Sequence, residues 1–249
     1  MEISLKGKVA LVTGGSRGIG AAIVKEFAAA GAKAVTNSRN EEQAKKFKAE
    51  MKKAGFDVHV YQADVSDFDA CSKLITDVEK DVGPIDILVN NAGVTEDVTL
   101  RKMTKEQWDK VLRINLDSCY NMCRNVVEGM TNRGFGRIIN ISSINGQKGQ
   151  IGQTNYAAAK AGMHGFSMAL AQEVARKGVT VNTISPGYIA TDMVMEVAEE
   201  IRNKIIAQIP VNRLGTPEEV AELVTYVASE KSGFITGADI SANGGQHMM

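Results

Sequence analysis

The sequence predicts a single α/β domain over residues 1–249, a doubly wound parallel sheet of about seven strands flanked by helices. Three observations carry this. Short β-branched apolar runs alternate with longer segments of helical period, a glycine-rich turn joins the first run to the first helical segment, and no repeat or low-complexity linker divides the chain. With 249 residues and 44% hydrophobic content, the chain can bury one substantial core.

The 29 basic and 29 acidic side chains cancel, which removes the electrostatic case for nucleic acid or an anionic membrane as a partner. No apolar run approaches the roughly 20 residues needed to span a bilayer, and the start lacks a basic-then-apolar leader, so a soluble cytoplasmic protein is expected. Cys71, Cys119 and Cys123 are an odd set without C-x-x-C spacing, and His59, His164 and His247 are scattered. That pattern predicts reduced thiols and no metal site.

The first strand, 8–13, breaks into Gly14-Gly15-Ser16-Arg17-Gly18-Ile19-Gly20 ahead of a helix over 21–30. Such a turn lets backbone approach a pyrophosphate, and the free amides at the helix start attract its charge. The second strand, 33–37, ends in Ser38-Arg39, where a site selecting NAD would place a carboxylate on the ribose hydroxyls; none occurs before Glu41. Arg39 and Arg17 can instead clamp a 2′-phosphate, which favours NADPH. A helix over 41–54 and a strand over 57–61 follow. Next come Asp64 and Val65, where Asp64 can meet the adenine amino group or cap the turn before the helix at 68–81.

The strand at 85–89 leads into Asn90-Asn91-Ala92-Gly93, small residues that leave room for a cofactor while the amides tie strands together. The segment 104–130 reads as helix, with Thr104 and Gln107 at capping-box spacing. Asn115 inside it marks a specific hydrogen bond, a local bend or a solvent-facing side chain. The fifth strand, 136–142, places Ser143 at its carboxyl end, where ligands bind in open parallel sheets. A sixth strand, 179–185, ends in Pro186-Gly187-Tyr188-Ile189, with Thr191 a candidate for the nicotinamide carboxamide and Tyr188 for substrate. The same residues also read as turn chemistry and packing. A less regular helical stretch within 192–213 can cover the site. Thr216 and Pro217 start another helix, and 237–241 forms the last strand.

Tyr156 and Lys160 stand four apart in an Ala-rich helical segment, so phenol and ammonium share a face. A free phenol has a pKa near 10, and a neighbouring positive charge brings it toward the working range. Tyr156 is then an acid, with the Ser143 hydroxyl holding the oxygen of a carbonyl.

Thr13-Gly14 with Gly18 and Gly20, Asn91-Ala92-Gly93, Asn115, Ser143, Tyr156, Lys160 and Pro186-Gly187 together resemble the short-chain dehydrogenase/reductase family along nearly the full chain. The resemblance implies a Rossmann sheet, hydride from a nicotinamide, and a homotetramer with the Tyr156 helix near a subunit interface. It also implies Ser143 orienting the carbonyl, Tyr156 as acid, Lys160 binding ribose and lowering the Tyr156 pKa, and Asn115 supporting a water relay. Ile19, Ile189 and the other turn residues would join the cofactor contacts.

Residues 142–150 and 169–175, with 235–239 and 243–245, resemble the acetoacetyl-CoA reductases of polyhydroxyalkanoate synthesis, which form (R)-3-hydroxybutyryl-CoA. By that likeness Asp97, Gln150, Ile151, Gly152, Gln153 and Tyr188 line the acyl-CoA site, with Ile151 standing where an aromatic residue is expected. The rival reading is a 3-oxoacyl-[acyl-carrier-protein] reductase of fatty acid synthesis, which needs a basic face for an acidic carrier. No Lys or Arg lies between Lys160 and Arg176, although Arg124, Arg133 and Arg137 can form a patch elsewhere. A dinucleotide-binding regulator without chemistry and a sugar or secondary-alcohol dehydrogenase complete the alternatives.

Overall fold

Seven parallel strands form one sheet in the order β3-β2-β1-β4-β5-β6-β7 in the computed structural model, which describes residues 3–248 apart from the side chain of Met193. Residues 1 and 2, where the reading for a leader begins, lie outside it. The strands are β1 (Val9–Val12), β2 (Lys33–Ser38), β3 (Val58–Gln62), β4 (Ile87–Asn90), β5 (Gly136–Ile141), β6 (Val179–Pro186) and β7 (Asp239–Ala242). The order reverses at β1, so the carboxyl ends of β1 and β4 flank a crevice.

Side chains alternate across each strand, and both faces are apolar. Ala10, Val12, Val89, Ile139 and Ile184 pack under α1 (Gly18–Ala29), α2 (Glu41–Lys53) and the later α10 (Pro217–Ala228) through Ile23, Phe27, Phe47 and Val224. Val9, Leu11, Leu88 and Ile138 face α3 (Phe68–Asp81) and α5 (Ser118–Arg133) through Leu74, Val78, Met122 and Val126. Cys71, Cys119 and Cys123 are buried and unbridged.

The expected helix over 104–130 is three pieces. α4 (Lys105–Leu112) begins at the Thr104–Gln107 capping box, and a π-helical turn over Arg113–Asp117 intervenes before α5. Asn115 explains the break: it is fully buried, and its amide Nδ2 donates to the carbonyls of Val111 (2.9 Å) and Val94 (2.9 Å). Its side chain thus makes the hydrogen bond and marks the bend together.

Beyond β5, a short α6 (Ile144–Lys148) precedes the long α7 (Thr154–Val174). The covering stretch expected within 192–213 resolves into two short helices, α8 (Asp192–Met195) and α9 (Glu199–Ile206). Arg202 pins the two together by donating to the carbonyls of Met195 and Val197. Thr216 and Glu219 form a full capping box with Pro217 at the first position of α10.

Candidate active site

The carboxyl ends of β1, β2 and β4 open onto a cleft of about 660 Å3. Its floor is the glycine turn. Gly14 has φ +64° and Gly18 φ +53°, conformations that disfavour a side chain. At Gly20 a Cβ would lie 2.4 Å from the Asn91 amide nitrogen and 2.6 Å from the Gly14 carbonyl oxygen. At the N-cap of α1, Arg17 makes no side-chain capping bond, and the first turn holds no acid, whereas Asn40, Asp67 and Thr216 cap their helices. An uncapped, acid-free helix start beneath a glycine cradle fits a pyrophosphate.

Ser16, Arg17, Ile19, Asp64, Val65, Asn91, Ala92, Gly93, Arg39 and Thr191, the expected cofactor contacts, all border this cleft. Asn91 also ties strands: its amide donates to the carbonyls of Thr13 (2.9 Å) and Gly14 (3.3 Å). Asp64 accepts from the backbone and hydroxyl of Ser66, the turn-capping alternative, while its other oxygen lies 3.8 Å from Arg39. Those bonds and the nearby Arg39 hold its carboxyl below the usual range even though burial alone would raise it.

Sequence reasoning passed over Asn37 and Ser38 at the end of β2, Gln43 in the first turn of α2, and Asp192 and Glu196 at the start and C-cap of α8, which also line the cleft. Asn37 had a local signal, an amide closing a β-branched run. It accepts from Gly14 N (3.2 Å) and donates to the Ala63 carbonyl (3.0 Å), locking the turn to the sheet. Pro186, Gly187 and Ile189 sit apart from the cleft walls. Pro186 ends β6, Gly187 packs on Asn243, and Ile189 is buried in the core beside a second cavity of about 310 Å3 that Tyr188 also lines.

Gly93 joins the cleft to the side chains expected to be catalytic. A Cβ there would stand 2.6 Å from Asn115 Oδ1 and 3.5 Å from Lys160 Nζ. Lys160 is buried, donates to the Ile141 carbonyl (2.8 Å), and lies 5.5 Å from the centre of the Tyr156 ring. Ser143 is the N-cap of α6, its Oγ accepting from Asn145 N (3.1 Å). Phenol, ammonium and hydroxyl therefore converge from α7 and the end of β5.

The electrostatics correct one expectation. Burial pushes the Tyr156 phenol up to about 12, opposed by the Ser143 hydroxyl and reinforced by Asp97, and burial pushes Lys160 down to about 8. Desolvation sets the direction, and the Lys160 ammonium, 5.5 Å from the ring centre, does not reverse it. Near neutral pH both groups are protonated, the forms a proton donor and its cationic neighbour need.

The expected substrate residues gather on one side. Gln153 donates to Asp97 (2.8 Å) and accepts from Asn145 (2.9 Å), Gly152 accepts from Val98 N (2.8 Å), and the Asp97 charge acts on both Tyr188 and Tyr156. Gln150 is exposed, and Ile151 is 91% exposed, an apolar side chain standing in solvent. Of the expected basic patch, Arg124 and Arg133 are exposed and Arg137 is withdrawn. Arg137 is buried and donates to the carbonyls of Ser229, Gly136 and Gly178, and Arg133 turns to the Ile85 carbonyl.

No helix among the described residues is long and apolar enough to cross a membrane, and no three metal-ligating side chains cluster among them. The profile of the short chain dehydrogenase family matches residues 8–202. An acetoacetyl-CoA reductase of Rhizobium meliloti is 58% identical over 242 residues, covering 96% of this chain and 98% of its own. Another from Cupriavidus necator is 53% identical over 97% of this chain and 98% of its own. A 3-oxoacyl-[acyl-carrier-protein] reductase of Pseudomonas aeruginosa is more distant, 43% identical over 99% of this chain and all of its own. By fold, site and sequence, this chain belongs to the short-chain dehydrogenase/reductase family.

Proposed function

We propose that the protein reduces acetoacetyl-CoA to (R)-3-hydroxybutyryl-CoA with NADPH, supplying polyhydroxyalkanoate synthesis. The observation that carries the chemistry is the convergence of Ser143, Tyr156 and Lys160 beside a glycine-floored cleft. Bound there, the dinucleotide would supply hydride to the carbonyl carbon. The protein's own part is positional and electrostatic. Ser143 holds the carbonyl oxygen, and Tyr156 donates the proton as negative charge develops on that oxygen. Lys160 keeps a positive charge beside the phenol that loses its proton. Asn115, against Gly93 and α4, holds this wall in place and supports a water-borne return of protons.

The glycine cradle and the uncapped start of α1 would hold the pyrophosphate, and Arg17 and Arg39 the 2′-phosphate. Both arginines are exposed at the cleft. The thioester would lie against Gln150, Ile151, Gly152, Gln153, Asp97 and Tyr188. Support for CoA over a carrier protein comes from the 51–58% identity to proteins named acetoacetyl-CoA reductase and from the burial of Arg137. Residues 1–249 form one catalytic domain on this reading, with 192–213 as its cover. We place it in the cytoplasm as a homotetramer, to which exposed Met168 on α7 and Tyr120 on α5 would contribute apolar contact.

Specificity constants for acetoacetyl-CoA and for an acetoacetylated carrier protein, each with NADPH, test the assignment. Preference for the CoA ester is expected. A strong preference for the carrier would make the protein a fatty-acid enzyme instead.

A further inference from the structure

Tyr156, Lys160 and His164 follow one another at four-residue spacing on α7, so the imidazole lies one turn beyond the ammonium. The His164 side chain is only 17% exposed. Its Nε2 lies 2.8 Å from Ser142 Oγ, 3.4 Å from Ser185 Oγ and 3.5 Å from Asp239 Oδ2. The hydrogens of these neighbours are already committed. Ser142 donates to the Lys160 carbonyl (3.0 Å), Ser185 donates to Asp239 Oδ1 (2.7 Å), and a carboxylate only accepts. With the Ser142 hydrogen on the Lys160 carbonyl and the Ser185 hydrogen on Asp239, all three groups face Nε2 as acceptors, which assigns the ring hydrogen to Nε2.

This set contains serine, histidine and aspartate without being a nucleophilic triad. There the carboxylate holds the ring nitrogen opposite the serine, and that serine gives its proton to the imidazole. Here serine and carboxylate meet the same nitrogen, and the serine proton is engaged elsewhere. The arrangement holds backbone instead. Ser142 spans from His164 to the carbonyl of Lys160, and it is the residue immediately before Ser143. Asp239 also accepts from Gln147 Nε2 (2.8 Å), so the helix that follows Ser143 is moored to the same carboxylate.

We propose that His164 is a positioning residue for the reductive site, its Nε2–H holding Ser142 so that the Ser143 hydroxyl and the Lys160 turn keep their mutual placement. The charged groups facing it are Asp239 from β7 and Lys160 from its own helix. Burial lowers its pKa below the ordinary histidine value, Asp239 opposes that, and Lys160 adds to it, which keeps the ring neutral near pH 7. The role in turnover rests on the reductase reading; the tautomer does not.

The test has two readouts. A long-range 1H–15N correlation spectrum of the wild-type protein near neutral pH should show His164 neutral with hydrogen on Nε2. Hydrogen on Nδ1 instead, or an imidazolium, would overturn the proposal even if no substrate had been found. In turnover, His164→Leu keeps volume and loses the donor, whereas His164→Gln can place an amide N–H near the same point. We expect kcat to fall about tenfold in the Leu variant and to stay within about threefold of wild type in the Gln variant, with NADPH affinity unchanged. In a Ser142→Ala background the Leu substitution should add less than about twofold, since the bond it removes is already gone. Full turnover in the Leu variant, equal losses in Leu and Gln, or an undiminished effect in the Ser142→Ala background would each refute it. Failure of wild type to oxidise NADPH with acetoacetyl-CoA would instead count against the proposed substrate, and the spectrum would still decide the tautomer.

Discussion

Replacing Arg39 with Ala asks how this cleft chooses its nucleotide. The guanidinium stands at the rim where β2 ends, 57% exposed, with Asp64 Oδ2 3.8 Å away as its nearest carboxylate. Two unit charges about 4 Å apart interact by about 1 kcal/mol in water and about 4 kcal/mol at an effective dielectric of about 20. Exposed protein pairs measure at the low end, about 0–1 kcal/mol. A phosphomonoester carries nearly two charges and accepts two parallel N–H bonds, which raises the figure, while Asp64 already draws on the same guanidinium. The loss on Arg39→Ala should therefore be about 1–2 kcal/mol, or about five- to thirtyfold weaker NADPH binding. NADH has no 2′-phosphate and should bind within about twofold of wild type. Fluorescence titration of both cofactors reads the ratio directly. Equal weakening of the two, or unchanged NADPH affinity, would refute the assignment of Arg39 as discriminator.

Gly20→Ala puts a methyl 2.4 Å from the Asn91 amide nitrogen and 2.6 Å from the Gly14 carbonyl, a backbone atom that cannot swing away. Destabilisation of about 1–3 kcal/mol, with weakened dinucleotide binding, is expected from chemical denaturation and titration, and a variant as stable as wild type would contradict that packing. Lys160, held at about 8 against an ordinary 10.5, makes stability rise with pH. Below pH 8 both folded and unfolded states carry the proton and the desolvation penalty is complete; between 8 and 10.5 the unfolded state binds more protons, so the penalty is progressively relieved. Unfolding free energies of wild type relative to Lys160→Met should climb through that window, and a flat difference would show that burial does not depress the ammonium.

The sheet was legible because its signals are local. Runs such as 8–13 and 136–142, each closed by a turn or a small residue, fix strand positions, and the glycine turn fixes which strand end carries the cleft. The juxtaposition of Tyr156 and Lys160 was legible for the same reason, since the two need only one helical turn to share a face. What the sequence concealed depends on long-range packing. The π-helical turn at Arg113–Asp117 exists because Asn115 reaches the Val94 carbonyl, 21 residues away in sequence. Arg137 reads as a surface charge until β5 buries it against carbonyls from three segments. The Tyr156 phenol misled in the same way, because spacing reveals the neighbouring charge but not the desolvation that opposes it. His164 looked like one of three scattered imidazoles, and only the return of β7 beside β6 brings Asp239 to it.

The most direct test of the central claim is single-turnover and steady-state reduction of acetoacetyl-CoA by Tyr156→Phe. That change removes one hydroxyl and leaves the ring against Lys160. If Tyr156 is the acid, kcat should fall by about 100-fold or more while NADPH affinity stays within about twofold. Turnover within about threefold of wild type would mean that some other group protonates the product oxygen, and that Ser143, Tyr156 and Lys160 do not form the reductive site.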